Sequence, residues 1–232
     1  MRLNPAICTF GDQAWKFLGF LLTRRGIEAN PDKCQAITNM RSPANIKEVQ
    51  QLTRRLEELS HFLSYVGDKA FSFFASIKKK EKFEWTPECE DTFNKIKSFL
   101  SNPPIVHRPT TGAILFLYLS ISNNAMSSML VQDSNTGDKP IYFISKVFRH
   151  VELRYQKIEL LALAVVITAM KLRPYFQSHR IVVKSNYSIK QVLGKPNLIG
   201  RMVAWSIELS EYEIQFLPRG SIKSQVLEDF LV

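Results

Sequence analysis

The apolar pattern changes period at Asn102-Pro103-Pro104, and that change constrains what the chain can fold into more than any other feature. A proline pair removes two backbone donors and fixes two φ angles, so neither a helix nor a central strand runs through it. Before it, apolar residues recur at helical spacing. Val49, Leu52, Leu56, Leu59 and Phe62-Leu63 form one stripe, which predicts a helix over 46–65. Thr86-Pro87-Glu88 supplies a cap, a first-turn proline and a first-turn acid, so a second helix is expected from there to Leu100. Phe71, Phe73, Phe74 and Ile77 suggest another between these two. Nearer the start, two short strands are expected around Thr23-Arg24-Arg25-Gly26, then a short helix over 32–39 behind Asn30-Pro31.

Past the prolines the pattern becomes strand-like. Strands are expected at 114–119, 127–131, 140–145, 181–184 and 212–216. A strongly apolar helix is expected over 152–176, with shorter helices around 189–193, 202–209 and 223–230. Three strands, a long helix, a fourth strand, helices and a last strand describe an α+β fold, a mixed sheet with helices packed on it.

The 31 Lys+Arg against 21 Asp+Glu leave a net charge of +10, which favours an anionic partner such as nucleic acid. Charge alone fits improved solubility equally well. Cys8, Cys34 and Cys89 form no CxxC pair, which argues against a zinc site or a disulfide framework. Met1-Arg2-Leu3-Asn4-Pro5 is not a signal peptide, and the longest apolar run, 160–170, is too short for a bilayer. An intracellular protein, cytoplasmic or nuclear and not secreted, is expected. His61, His107, His150 and His179 show no ligand spacing.

Several runs, in order, carry a resemblance. Cys8-Thr9-Phe10-Gly11, Lys16-Phe17-Leu18-Gly19-Phe20 and Arg25-Gly26-Ile27-Glu28-Ala29-Asn30-Pro31-Asp32-Lys33 come first. Phe83-Glu84-Trp85-Thr86, Tyr142, Ser145-Lys146, Arg154-Tyr155, Glu159, Lys171-Leu172-Arg173-Pro174-Tyr175-Phe176 and Glu211-Tyr212 follow. With these the chain resembles the reverse transcriptase/RNase H region of gypsy-type LTR retrotransposon polyproteins, most closely a plant lineage. The resemblance implies the end of a palm with a primer-grip-like hairpin over 1–43, a thumb and connection over 44–104, and an RNase H-like domain over 105–232. It also implies that the polymerase aspartates of a Tyr-x-Asp-Asp hairpin would lie upstream of Met1, so no DNA synthesis is expected of this chain alone.

The family's nuclease uses four carboxylates to hold two Mg2+ ions about 4 Å apart. By resemblance, the four places fall at Ser120, Glu159, Asn186 and Asp229, so two of them offer only neutral oxygens. Magnesium is a hard cation that binds through charged oxygens and its own waters. A vestigial site is therefore expected, with Glu159 and Asp229 as weak or lost metal ligands. Glu159 also reads as the solvent edge of an apolar helix, and Asp229 as a solvated acid on a terminal turn. Arg54, Arg55, Lys171 and Arg173 are expected to face a duplex and neutralise phosphates without reading sequence. Lys78-Lys79-Lys80 and Lys82 could join them or form an ordinary solvated face. The expected function is non-specific binding of RNA–DNA hybrid or DNA duplex without efficient catalysis. The rival is an active Mg2+-dependent ribonuclease H cleaving RNA in RNA–DNA hybrids.

Overall fold

The computed structural model describes residues 14–17, 20–63, 73, 83–134, 137–187, 189 and 200–220. Its first unit is a three-stranded antiparallel sheet, β1 (Ala14–Phe17), β2 (Phe20–Thr23) and β3 (Gly26–Ala29). The sequence predicts one strand where β1 and β2 stand, and the register Phe17↔Phe20 shows the apolar run pairing with itself. Helix α1 (Pro31–Thr38) follows, capped by Asn30, whose side chain accepts from Asp32 N. Helix α2 (Ile46–Glu58) starts at Asn45, which accepts from Glu48 N at 3.0 Å. It stops seven residues short of the expected end, yet Leu59, Phe62 and Leu63 stay buried in the turns beyond it. Of the helix expected near Phe71–Ile77, only Phe73 lies among the described residues; it is buried, with its ring stacked on Trp85 at 5.4 Å. Helix α3 (Pro87–Ser101) starts as the Thr86-Pro87 signature predicts.

The second unit is a five-stranded sheet in the order β6-β5-β4-β7-β8, built from β4 (Leu115–Ile121), β5 (Ala125–Gln132), β6 (Lys139–Val147), β7 (Ile181–Lys184) and β8 (Ile214–Leu217). The first three pair antiparallel, whereas β4–β7 and β7–β8 pair parallel. The expected helix over 152–176 is three pieces: a 3-10 turn (Glu152–Arg154), α4 (Lys157–Lys171) and α5 (Arg173–Ser178). Gln156 is extended and starts α4. Pro174 lacks the N–H to continue it, so the chain bends at Leu172. Helix α6 is Arg201–Ser210. The helices expected near 189–193 and 223–230 lie outside the described residues, apart from Ile189.

Both faces of the sheet are covered. Leu115, Leu117 and Leu119 point into one core with α4, α5 and α6, while Phe116 and Tyr118 join a second with α1, α2 and α3. The alternation follows the two-residue period of a strand. Nearly all of α4 from Leu160 to Ala169 is buried, which explains its unbroken apolar run. Its one buried hydroxyl, on Thr168, lies 2.7 Å from Ser128 Oγ and donates to Ala164 O. The second core contains Ile37, Leu56 and Phe93 together with Tyr118, Met129 and Phe143, so it draws on residues before and after 104.

Candidate nucleic-acid interface

Strands β4 and β7 run parallel, and loops leaving the carboxyl ends of parallel strands are where open sheets of this kind bind ligands. A pocket of about 340 Å³ lies there. Leu119, Ser120 and Ile121 come from the end of β4, Ser185, Asn186 and Tyr187 from the turn after β7, and Arg219 from just past β8. Lys157 and Leu161, on the first turns of α4, close it. The fold thus places Ser120 and Asn186 in the lining of one pocket.

Their surroundings are not acidic. Asn186 Oδ1, the atom best suited to a metal, accepts from the backbone N–H of Arg219 at 3.1 Å. Arg219 Nη2 donates to Leu119 O at 2.6 Å, and its Nε is buried with no hydrogen-bond partner. Lys157 is exposed, with its ammonium 5.2 Å from the Tyr187 ring centroid. Among the described residues, the lining therefore contains two cations and no carboxylate.

Glu159 is near in sequence but is otherwise engaged. As the third residue of α4, it accepts from Gln156 N through Oε2 at 2.9 Å, which closes a capping box. Its Oε1 takes a 2.7 Å contact from Arg201 Nη2, and that guanidinium stacks on Tyr155 with its carbon 3.9 Å from the ring centroid. Asp229 lies outside the described residues. Among the described residues, no three His, Cys, Asp or Glu side chains cluster closely enough to hold a metal ion. The described part of the lining, Lys157, Arg219, Ser120 and an already hydrogen-bonded Asn186, does not fit a pair of hard divalent cations.

Two carboxylates do lie close by, on the other side of Arg219. Asp133 and Asp138 line a smaller pocket of about 200 Å³ with Phe116, Tyr118, Lys184, Arg219 and Gly220. Burial, then Asp138 and Asp133, push the Tyr118 phenol above its usual pKa, so it stays a neutral hydroxyl.

The expected phosphate contacts fall into two kinds. Arg54 and Lys171 are exposed, on α2 and at the end of α4. Arg55 instead donates to Ala36 O at 2.7 Å and tethers α2 to α1, while Arg173 pairs with Glu211 at 2.9 Å. Lys78-Lys79-Lys80 and Lys82 lie outside the described residues. The sequence reading missed Lys157, Arg201 and Arg219. Two signals were available, a lysine two residues before Glu159 and an Arg-Gly pair directly after the last strand and its proline.

Residues 85–183 match the family model of the RNase H-like domain found in reverse transcriptase. The whole chain aligns at 29% identity with 24% of the retrovirus-related Pol polyprotein from transposon opus of Drosophila melanogaster. Over 93% of its length it is 28% identical to 20% of the Pol polyprotein from transposon 297 of the same organism. It therefore spans about a quarter or less of these relatives' length. Its fold matches the foamy viral protease-reverse transcriptase solved with double-stranded DNA, with a TM-score of 0.71 at 20% identity over 91% of this chain and 38% of that one. The same viral protein with RNA/DNA hybrid matches at a TM-score of 0.71 and 21% identity, over 91% of this chain and 30% of that one. Residues 85–183 thus match an RNase H-like domain, in a chain similar to part of a retrotransposon or retroviral Pol polyprotein.

Proposed function

We propose that the chain is a duplex-binding segment of a gypsy-type retrotransposon Pol polyprotein, of a plant lineage, acting inside the cell. Its nuclease-like site has lost the charge needed to hold two Mg2+ ions, and it holds RNA–DNA hybrid or DNA duplex without efficient cleavage. The observation that carries this reading is the pocket at the ends of β4 and β7, where Lys157 and Arg219 stand beside Ser120 and Asn186. The net charge of +10, with exposed Arg54 on α2 and exposed Lys171 at the far end of α4, supports phosphate contacts that carry no sequence information. The foamy viral proteins of matching fold were solved on double-stranded DNA and on RNA/DNA hybrid, which supports the same class of ligand.

Fluorescence anisotropy with a labelled RNA–DNA hybrid, run beside a cleavage assay in Mg2+ or Mn2+, tests this. Binding is expected to fall about tenfold between 50 and 200 mM salt if roughly two phosphates are neutralised. No cleavage is expected. Metal-dependent cleavage abolished by Glu159→Gln would instead establish the active ribonuclease H, and absence of affinity at low salt would remove the binding role.

A further inference from the structure

We infer that the pocket between β4, β7 and α4 takes a phosphodiester oxyanion directly, with no metal ion between. The duplex as the source of that phosphate rests on the proposed function; the anion site rests on the geometry. Arg219 anchors one wall, and its Nε–H is buried without an acceptor. A buried charged donor left unpaired is unfavourable, and a small shift of the guanidinium toward the pocket it lines would let an entering oxyanion supply the acceptor. The planar guanidinium fork suits phosphate oxygens.

Asn186 adds to this. Its Oδ1 already accepts from Arg219 N, and its amide nitrogen carries two N–H donors suited to an oxyanion. Lys157 contributes an ammonium at the first position of α4, where the helix adds partial positive charge of its own. All three features oppose a cation and favour an anion. Among the described residues, Asp133 and Asp138, across Arg219, are competing negative charge. The side-chain hydrogen bond of Arg219 nonetheless goes to Leu119 O rather than to either carboxylate.

The test uses the full chain, 15N-labelled, in EDTA. Titration with inorganic phosphate, followed by NMR, should give saturable shifts at the backbone amides of Asn186, Tyr187 and Arg219. Lys157→Gln, at an exposed position, should weaken that titration by about tenfold. Arg219→Lys keeps the charge but loses the buried Nε–H, and should weaken it as well. Adding the RNA–DNA hybrid should move the same amides and compete with phosphate. Silent amides overturn the inference, as do shifts that need Mg2+ or an unaltered titration in both variants. Affinity for hybrid with a silent pocket would sink the site but leave duplex binding standing. A phosphate-responsive pocket in a chain with no affinity for hybrid would overturn the phosphodiester assignment together with the duplex-binding reading.

Discussion

Glu159 has both carboxylate oxygens in use, one on the backbone of Gln156 and one on Arg201. A residue that caps a helix and braces a neighbouring one is measurable without any metal. Glu159→Ala should lower unfolding stability by about 1–2 kcal/mol, the sum of a lost cap and a partly exposed ion pair. Glu159→Gln keeps an acceptor for Gln156 N–H and should cost less than half as much. Urea unfolding of both variants, with and without Mg2+, checks this; a metal-dependent gap between wild type and Glu159→Gln would point back to a ligand role. The same side chain shows the limit of reading residues singly. An isolated acid on an apolar helix signalled a special position, but its partner, Arg201, lies forty-two residues away in sequence and could only be found in space.

At the scale of elements, the joint between the first sheet and the rest of the chain depends on one glycine. Gly26 has φ +147, and a Cβ there would stand 2.5 Å from Val106 O. The close approach lets Ile27 N donate to Val106 O at 2.7 Å while Ile27 O accepts from Val106 N at 2.9 Å. Gly26→Ala must strain the backbone and push these partners apart, at a cost of about 1–3 kcal/mol. Thermal unfolding should show a lower midpoint, by several degrees for a chain of this size. The turn around Gly26 was legible in the sequence because glycine punctuates strands. Its contact with Val106, across eighty residues, was not. Likewise the helix expected over 152–176 was right in its apolar content but wrong in continuity. Gln156 and Pro174 set its breaks, and of the two the proline is the one legible in the sequence.

For the whole molecule, the question is whether the parts fold separately. Tyr118, Met129, Val131 and Phe143, on one face of the five-stranded sheet, share a core with Phe93, Ile96 and Leu56. A fragment starting at 105 would expose that face, and is expected to aggregate or elute as oligomer in size-exclusion chromatography. A fragment starting at Phe83 keeps α3 and should stay soluble for longer. A monomeric, stable 105–232 fragment would instead support a domain boundary at the prolines.

His61 lies at the same junction, 5.6 Å from the Phe20 ring and 5.3 Å from the Tyr142 ring. Burial, and then the charge of Lys171, hold its pKa below 6.5. The unfolded chain binds that proton first on acidification, so the stabilising contribution is full above about pH 6.5 and is lost as pH falls toward the folded value. Stability measured from pH 7.5 to 5.5 should therefore decline, and His61→Gln should flatten the slope.

Sequence alone determined most of the strand-and-helix order among the described residues, the apolar faces and the neutral residues at 120 and 186, since each depends on residues within one turn or strand of one another. Only the tertiary structure decided which charges meet at the ends of β4 and β7. Lys157, Asn186 and Arg219 come from three elements, and no local period links them. Their meeting follows from parallel strand pairing and from α4 packing across the sheet, both set by burial over the whole chain.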